Sequence, residues 1–390
     1  MELHLLAEIA DACSLSEGPE GVRRVIWTLA HLGPMSVADL SREVLMPLPV
    51  VSAMRRELEK RGLAVRGRGV ELSDAGRRYA AEALGVVASA AVPSCACGGT
   101  PMETPEVLVP TLRPLQRYSA ARPEVDTTLD QSYGTPESVL RRALYMWRHD
   151  ALAGRDVAIL GDDDLLSVAA CLLARALCQS PPRLAVTVFE LDRRIADYIN
   201  ELSVREGLPI ECVVHDLRGP LPEEHRARYD VFATDPPYTV AGVRLFVSRG
   251  LSALRPGAGG HGFVCFAHKP PTEMLAVQRD VTDMGLQIVE VLPRFNRYEG
   301  SAILGGTSQL LHLLTTPAAR PLVEGPCRDA IYTGAHGRAR RYECAACGRT
   351  VHVGRGEQFV TIERLKAQGC PACGGRKLRR LDRAHKESES

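Results

Sequence analysis

Lysine is scarce in this chain: five residues against 43 arginines in a total of 390. The lysine- and glutamate-rich composition of hyperthermophile proteins is therefore absent. Long apolar runs are missing too. No stretch of about 18 uncharged apolar residues occurs, so no membrane-spanning helix is expected. The N-terminus, MELHLLAEIADAC, carries acids and has no basic segment ahead of an apolar one, which argues against a signal peptide. A disulfide framework is also lacking, despite 12 cysteines. Cys171, Cys178, Cys212 and Cys265 stand singly in apolar runs and read as small core residues. Four others cluster near the C-terminus at metal-type spacing. Both patterns fit a reducing compartment, so a cytoplasmic location is expected.

The length suggests two or three domains, and 45% apolar content supplies a sizeable core. The formal net charge of +1 conceals a segregation: residues 20–80 carry a net +4, residues 336–390 a net +7, and the span 81–335 a net −6. An acidic centre suits a cationic substrate.

Residues 20–80 read as a winged helix. GVRRVIWTLAHLG has helical apolar spacing and stops at Gly33-Pro34. Ser36 is placed to cap SVADLSREV, and LPVVSAMRRELEKRG ends at Gly62. A glycine-tipped hairpin and a last helix follow. Arg55 and Arg56 are the candidate groove contacts if the module binds DNA. The alternative, a docking or dimerisation module, is favoured, and a homodimer is compatible with it. Residues 85–135 contain Pro93, Pro101, Pro105, Pro110, Pro114 and Pro123 and read as a linker region. The C-A-C-G-G at 95–99 is a weak metal signal, because two cysteines one residue apart rarely form half a zinc site.

From Arg155 onward strands alternate with helices: RDVAIL, LAVTVFELD, PIECVVHD, YDVFATDPPYT, GFVCFAH, then LQIVEVLP and SQLLHLLTT as two final strands. This alternation predicts an α/β domain with a mostly parallel, doubly wound sheet, whose ligands bind at the carboxyl ends of the strands. Acids fall at those ends: Asp162, Asp163 and Asp164 after the first strand, Glu190 and Asp192 at the second, Asp216 after the third, and Asp235 after the fourth. One such acid could be a helix cap, and Asp164 is placed to be one. Four successive strand ends closing on carboxylates point to a ligand site.

This ladder resembles the class I methyltransferase-like (Rossmann-like) fold. The resemblance implies that Glu190 holds ribose hydroxyls and that Asp216 lies near an adenine amino group, as ionised carboxylates accept from O–H and N–H donors. Gly161, Asp192, Pro236 and Tyr238 complete the candidate nucleotide-binding set. Asp235-Pro236-Pro237-Tyr238 resembles the D-P-P-Y loop of amino-methylating enzymes, in which two prolines fix a carboxylate against an incoming amine. The first loop departs from the glycine-rich methyltransferase turn. Gly161-Asp162-Asp163-Asp164 disfavours a methionine carboxylate and favours a ligand with extra positive charge.

Taken together, GDDD at 161–164, FELDRR at 189–194, HDLR at 215–218, DPPYT at 235–239 and PRFNRYEG at 293–300 resemble the branched-chain polyamine synthases. These are aminopropyltransferases with an N-terminal winged helix, and the likeness covers roughly residues 1–318. It implies decarboxylated S-adenosylmethionine as co-substrate and a polyamine such as spermidine as acceptor. Asp162, Asp163, Asp164 and Asp235 become the catalytic candidates, with the three loop aspartates unranked. The reaction is displacement at the carbon beside a sulfonium by a neutral amine. A carboxylate of pKa about 4 is a poor base for an ammonium of pKa about 10, a gap worth roughly 8 kcal/mol. Burial beside other acids would narrow it.

Beyond that region, Cys344-Ala-Ala-Cys347 and Cys370-Pro-Ala-Cys373, each followed by a glycine, have the spacing of a zinc ribbon. With four protein ligands the metal would be structural. The expected domains are 1–84, 85–135 as linker region, 136–320 and 336–378. Two other functions remain open from the residues: N-methyl or aminocarboxypropyl transfer from intact S-adenosylmethionine to an amine or nucleobase, and a DNA-binding regulator that senses a nucleotide or polyamine. The acidic first loop disfavours the former, and the complete acid ladder disfavours the latter.

Overall fold

The computed structural model describes residues 2–86, 103–126, 129–178, 182–299, 306–332, 340–353, 357–359 and 362–381. Cys95, Cys97, Pro93, Pro101, Gly300 and the last residues of the basic tail lie outside the described residues.

The first unit comprises helices α1 (Glu2–Ala12), α2 (Gly18–Leu32), α3 (Val37–Val44) and α4 (Leu48–Lys60), the two-stranded wing β1 (Ala64–Arg66) and β2 (Val70–Leu72), and α5 (Asp74–Glu82). Val22, Val25, Ile26 and Leu29 form one stripe of α2 and meet Val51, Met54 and Leu58 of α4 in a closed core. Ser36 Oγ accepts the Asp39 N–H at 3.1 Å and caps α3, as its sequence position implies. Arg55, half-buried on α4, donates to Glu59 at 3.0 Å. Buried charge joins this unit to the rest of the chain. Arg23 binds both oxygens of Asp150, at 2.7 and 3.0 Å, and Arg155 binds both oxygens of Glu20, at 3.0 and 2.8 Å.

The 85–135 span is more than a linker. It carries α6 (Val109–Ala121), with Pro110 in the first turn and Pro114 inside. Leu112, Leu115 and Tyr118 share one buried face, and that burial outweighs the prolines that suggested irregular chain. Helix α7 (Pro136–Arg148), capped by Thr135, follows.

The central sheet contains β3 (Arg155–Leu160), β4 (Leu184–Glu190), β5 (Ile210–Val214), β6 (Val231–Thr234), β7 (His261–Ala267), β8 (Leu286–Arg297) and β9 (Thr307–Thr315). Their spatial order is β5-β4-β3-β6-β7-β9-β8, with β9 antiparallel to both neighbours. The connecting helices are α8 (Leu166–Leu177), α9 (Arg193–Glu206), α10 (Val240–Ala253) and α11 (Pro271–Asp283). Helices α6, α7, α8 and α9 pack in the core on one face, and α10 and α11 in the core on the other. Every residue of β6 and β7 is buried, as parallel strands covered on both faces require. Strand order reverses between β3 and β6, which opens a crevice at their carboxyl ends. Strand β8 continues past Pro293, where the sequence suggested an end. It is an edge strand with register shifts around Leu292/Asn296, the setting in which proline is tolerated.

A small three-stranded sheet closes the chain: β10 (Arg340–Cys344), β11 (Thr350–Val353) and β12 (Leu378–Arg380), with helix α12 (Ile362–Gln368). Among the described residues, no helix is long and apolar enough to cross a membrane.

Candidate active site

The loop after β3 turns sharply, through Gly161 at φ +74° and Leu165 at φ +65°. Three successive aspartates therefore point in three directions. Asp162 accepts the N–H groups of Leu166 at 2.6 Å and Ser167 at 3.0 Å, satisfying the open first turn of α8. Burial pushes its pKa up to about 7. Asp164 is buried against the Arg142 guanidinium of α7 and takes the Gly134 N–H. Of the three, only Asp163 lines the crevice, and its carboxylate has no hydrogen-bond partner among the described residues. Burial, then the neighbouring charges of Asp164, Glu190 and Asp235, raise its pKa well above the ordinary value. The helix-cap role that the sequence offered to Asp164 thus belongs to Asp162, and the three loop candidates reduce to Asp163 at the cavity.

Glu190 ends β4 at the floor of the crevice. Its Oε2 accepts the Asp162 N–H and its Oε1 the Asp192 N–H, both at 2.9 Å. These two bonds fix the carboxylate while leaving lone pairs for a ligand. Burial raises its pKa. Asp192 does not line the crevice. It caps α9 through the Arg194 N–H, pairs with the Arg194 side chain and accepts Gln131 Nε2 at 3.1 Å. Its part in the site is indirect, through Gln131, which is in the wall. Asp216 does line the crevice, but Arg218 grips it at 2.6 Å, and this pairing lowers its pKa.

The loop after β6 brings Asp235, Pro236, Pro237 and Tyr238 to the opposite side. Asp235 Oδ2 accepts the Tyr298 hydroxyl at 2.5 Å and lies 3.5 Å from Arg142 Nη1. Its Oδ1 is buried without a partner among the described residues. Burial pushes the Asp235 pKa up to about 6, against the opposing pull of Arg142. The Tyr238 ring packs edge-on against Phe266 at 5.9 Å and Tyr298 at 6.3 Å. Thr239 caps α10 and closes the loop.

The crevice encloses about 750 Å³, mouth included. Gly161, Asp163, Glu190, Asp216, Asp235, Pro236 and Tyr238 meet there, drawn from four strand ends. Sequence reasoning assigned no role to Arg142, Tyr298, His215, Gln131, Ile331 or Tyr332. Tyr298 and His215 stood inside quoted motifs. The others carried no signal, because only the fold brings Gln131, Ile331 and Tyr332 to the crevice and Arg142 beside Asp235.

At the C-terminal site the Sγ atoms of Cys344, Cys347, Cys370 and Cys373 all lie within 4.8 Å of one another, with pairs at 3.6 and 3.7 Å. Four sulfurs about 2.3 Å from a central zinc would be separated by about 3.8 Å, so the donor set and its spacing fit that metal. Backbone N–H groups at each knuckle hold the Cys344 and Cys370 thiols below the usual range, Cys370 at about 7.

The strand order, the carboxylate closing β4 and the acid-lined crevice define a class I methyltransferase-like transferase fold. The chain belongs to the branched-chain polyamine synthase family: residues 111–316 match the family model described as the branched-chain polyamine synthase A C-terminal domain. It is 34% identical to an uncharacterised protein of Methanocaldococcus jannaschii over 387 residues, 99% of this chain and 94% of that protein. It is 30% identical to the N(4)-bis(aminopropyl)spermidine synthase of the same organism over 267 residues, 67% of this chain and 72% of that one. The crystal structure of the branched-chain polyamine synthase from Thermus thermophilus, in complex with N4-aminopropylspermidine and 5′-methylthioadenosine, superposes with a TM-score of 0.53 at 27% identity, covering 85% of this chain and 96% of that one.

Proposed function

We propose that this aminopropyltransferase moves the aminopropyl group of decarboxylated S-adenosylmethionine to an amine nitrogen of a polyamine such as spermidine and releases 5′-methylthioadenosine. One observation carries the choice of donor. Among the described residues lining the crevice, the single arginine or lysine is Arg218, and Asp216 already occupies it. Asp163, Asp235 and Glu190 face the same space. A methionine carboxylate would find no free cation there, whereas an ammonium would find three carboxylates.

In the reaction the amine lone pair forms the new N–C bond. The C–S bond breaks with its electron pair going to sulfur, and the surplus proton leaves the new ammonium. Asp163 is the group to orient the amine and take that proton, since burial and like charge move its pKa toward that of an amine. Asp235, fixed by Tyr298, offers its open Oδ1 as a second acceptor. Glu190 holds the ribose. The two cationic reactants are aligned by carboxylates already in place, which contributes more than proton transfer across a large pKa gap. The four C-terminal thiolates would hold a structural zinc that leaves no coordination position for substrate. None of the ten described cysteines is in a disulfide, which fits a cytoplasmic location.

The test is incubation of the purified chain with spermidine and either decarboxylated or intact S-adenosylmethionine, followed by mass spectrometry. Spermidine gaining one or two aminopropyl groups from the decarboxylated donor is expected. Methyl transfer from the intact donor would overturn the reading.

A further inference from the structure

After β9 the chain runs on as a strap, residues 323–332, whose last two residues, Ile331 and Tyr332, line the crevice. Arg249 of α10 holds this strap. Its side chain is fully buried, and its guanidinium donates to the carbonyls of Leu217 at 2.9 Å, Val323 at 2.8 Å and Gly325 at 2.7 Å, with longer bonds to Arg218 and Glu324. Two of those five carbonyls belong to the loop after β5 and three to the strap, so one cation ties the loops together. Two further bonds fix its far end: the Cys327 N–H donates to the Arg218 carbonyl at 2.7 Å, and Thr239 Oγ1 donates to the Ile331 carbonyl at 2.7 Å. Ile331 is buried in the core beneath, while Tyr332 stays half-buried at the wall of the crevice.

We infer that this strap is a nucleoside-binding element: Ile331 and Tyr332, held by Arg249 and Thr239, form the wall against which the base of the nucleoside packs. The placement decides which ligand the wall meets. The Tyr332 phenol lies in the field of Asp216, Arg218, Glu190 and Asp130, the groups at the ends of β4 and β5 and the facing loop. Asp216 and Arg218 weigh most among the charged groups acting on it. An aromatic ring and a branched aliphatic side chain beside ribose- and base-binding carboxylates suit a flat, apolar heterocycle, whereas an aliphatic ammonium would gain more from the acids opposite. The assignment also gives Arg249 a purpose that packing alone does not. A buried guanidinium satisfied wholly by loop carbonyls adds no apolar core, but it fixes loop positions to within hydrogen-bond tolerance.

This inference rests on the nucleoside reading of the crevice, and the test separates the two. The full chain and Tyr332→Ala are titrated by calorimetry with 5′-methylthioadenosine and, separately, with spermidine. Tyr332→Ala is expected to lose roughly tenfold or more in affinity for methylthioadenosine, in line with loss of one base–aromatic contact, and to keep its spermidine affinity within about twofold. Failure of the unaltered chain to bind methylthioadenosine would overturn the nucleoside reading itself. If the unaltered chain binds and Tyr332→Ala binds equally well, or loses both ligands alike, the strap assignment alone falls. Arg249→Met tests the staple: methylthioadenosine affinity should drop and proteolysis within 323–332 should quicken, and no change in either would refute its role. Should that variant fail to fold, the Tyr332→Ala comparison still decides the proposal.

Discussion

Arg142 Nη1 lies 3.5 Å from Asp235 Oδ2, and the other terminal nitrogen of the same guanidinium bonds Asp164. One buried cation on α7 therefore joins the loop after β3 to the loop after β6. Around Asp235 stand Asp163 and Asp164 from the first loop, Tyr298 just after β8, Cys265 from β7, and Tyr238 from its own loop. Among the described residues, Arg142 is the cation with the largest effect on Asp235. Its removal should raise the Asp235 pKa above its present value of about 6. In the proposed role of Asp235 as an acceptor the ionised form is the active one, so the acid limb of the kcat/KM profile of Arg142→Met should move to higher pH. Arg142→Lys keeps the charge without the fork and should move it less. A loss of melting temperature with no displacement of the limb would reduce Arg142 to a structural role.

The three aspartates of the first loop should separate by the quantity that each disturbs. Asp163→Asn keeps the shape but removes proton acceptance, and should lower kcat by about 10²–10⁴-fold. Asp162→Ala removes the acceptor for two helix N–H groups and should cost about 1 kcal/mol of stability with a much smaller effect on turnover. Asp164→Asn leaves Arg142 short of a partner and should lower both. Equal kcat losses for Asp162→Ala and Asp163→Asn would contradict the arrangement seen in the loop.

The contrast between these residues shows what the chain discloses in one dimension. Apolar alternation marked the strands, and a carboxylate at each strand end marked the crevice, because both signals are local. Which of Asp162, Asp163 and Asp164 faces inward depends on the backbone turn between Gly161 and Leu165, and composition says nothing about it. Arg142 is one of 43 arginines on a helix with ordinary amphipathic spacing, and only the tertiary fold makes it the partner of two acids. Helix α6 was hidden by its own prolines, which are common signs of irregular chain and were here overruled by a buried apolar face.

Glu190→Gln should act on binding rather than on the chemical step. Each carboxylate oxygen of Glu190 now accepts one backbone N–H. An amide must turn its NH₂ toward one of them, which loses that bond and disturbs the acceptor offered to ribose. The proposed ribose contacts would be alike in ground and transition states, so the dissociation constant for methylthioadenosine should rise by roughly tenfold or more while kcat at saturation changes little. A large kcat loss at unchanged nucleoside affinity would place Glu190 with the amine instead.

The cysteine cluster calls for a test that separates fold from chemistry. None of the four cysteines lines the crevice, and four thiolates complete a tetrahedral shell. Metal analysis of the purified chain should return about one zinc per molecule, and less than about half an equivalent without chelator treatment would contradict the assignment. Cys347→Ser should lower metal content and melting temperature together, because the small core around Tyr342, Val351, Val353 and Leu365 is too slight to order that sheet without the metal. Turnover per folded molecule, measured with both substrates saturating, should stay within about twofold, since the cluster has no open position for a substrate oxygen or nitrogen. A fall in kcat that tracks zinc loss while the rest of the chain remains folded would mean that the ribbon contributes to the active site. The segment joining it to Tyr332 would then be where that coupling should be sought.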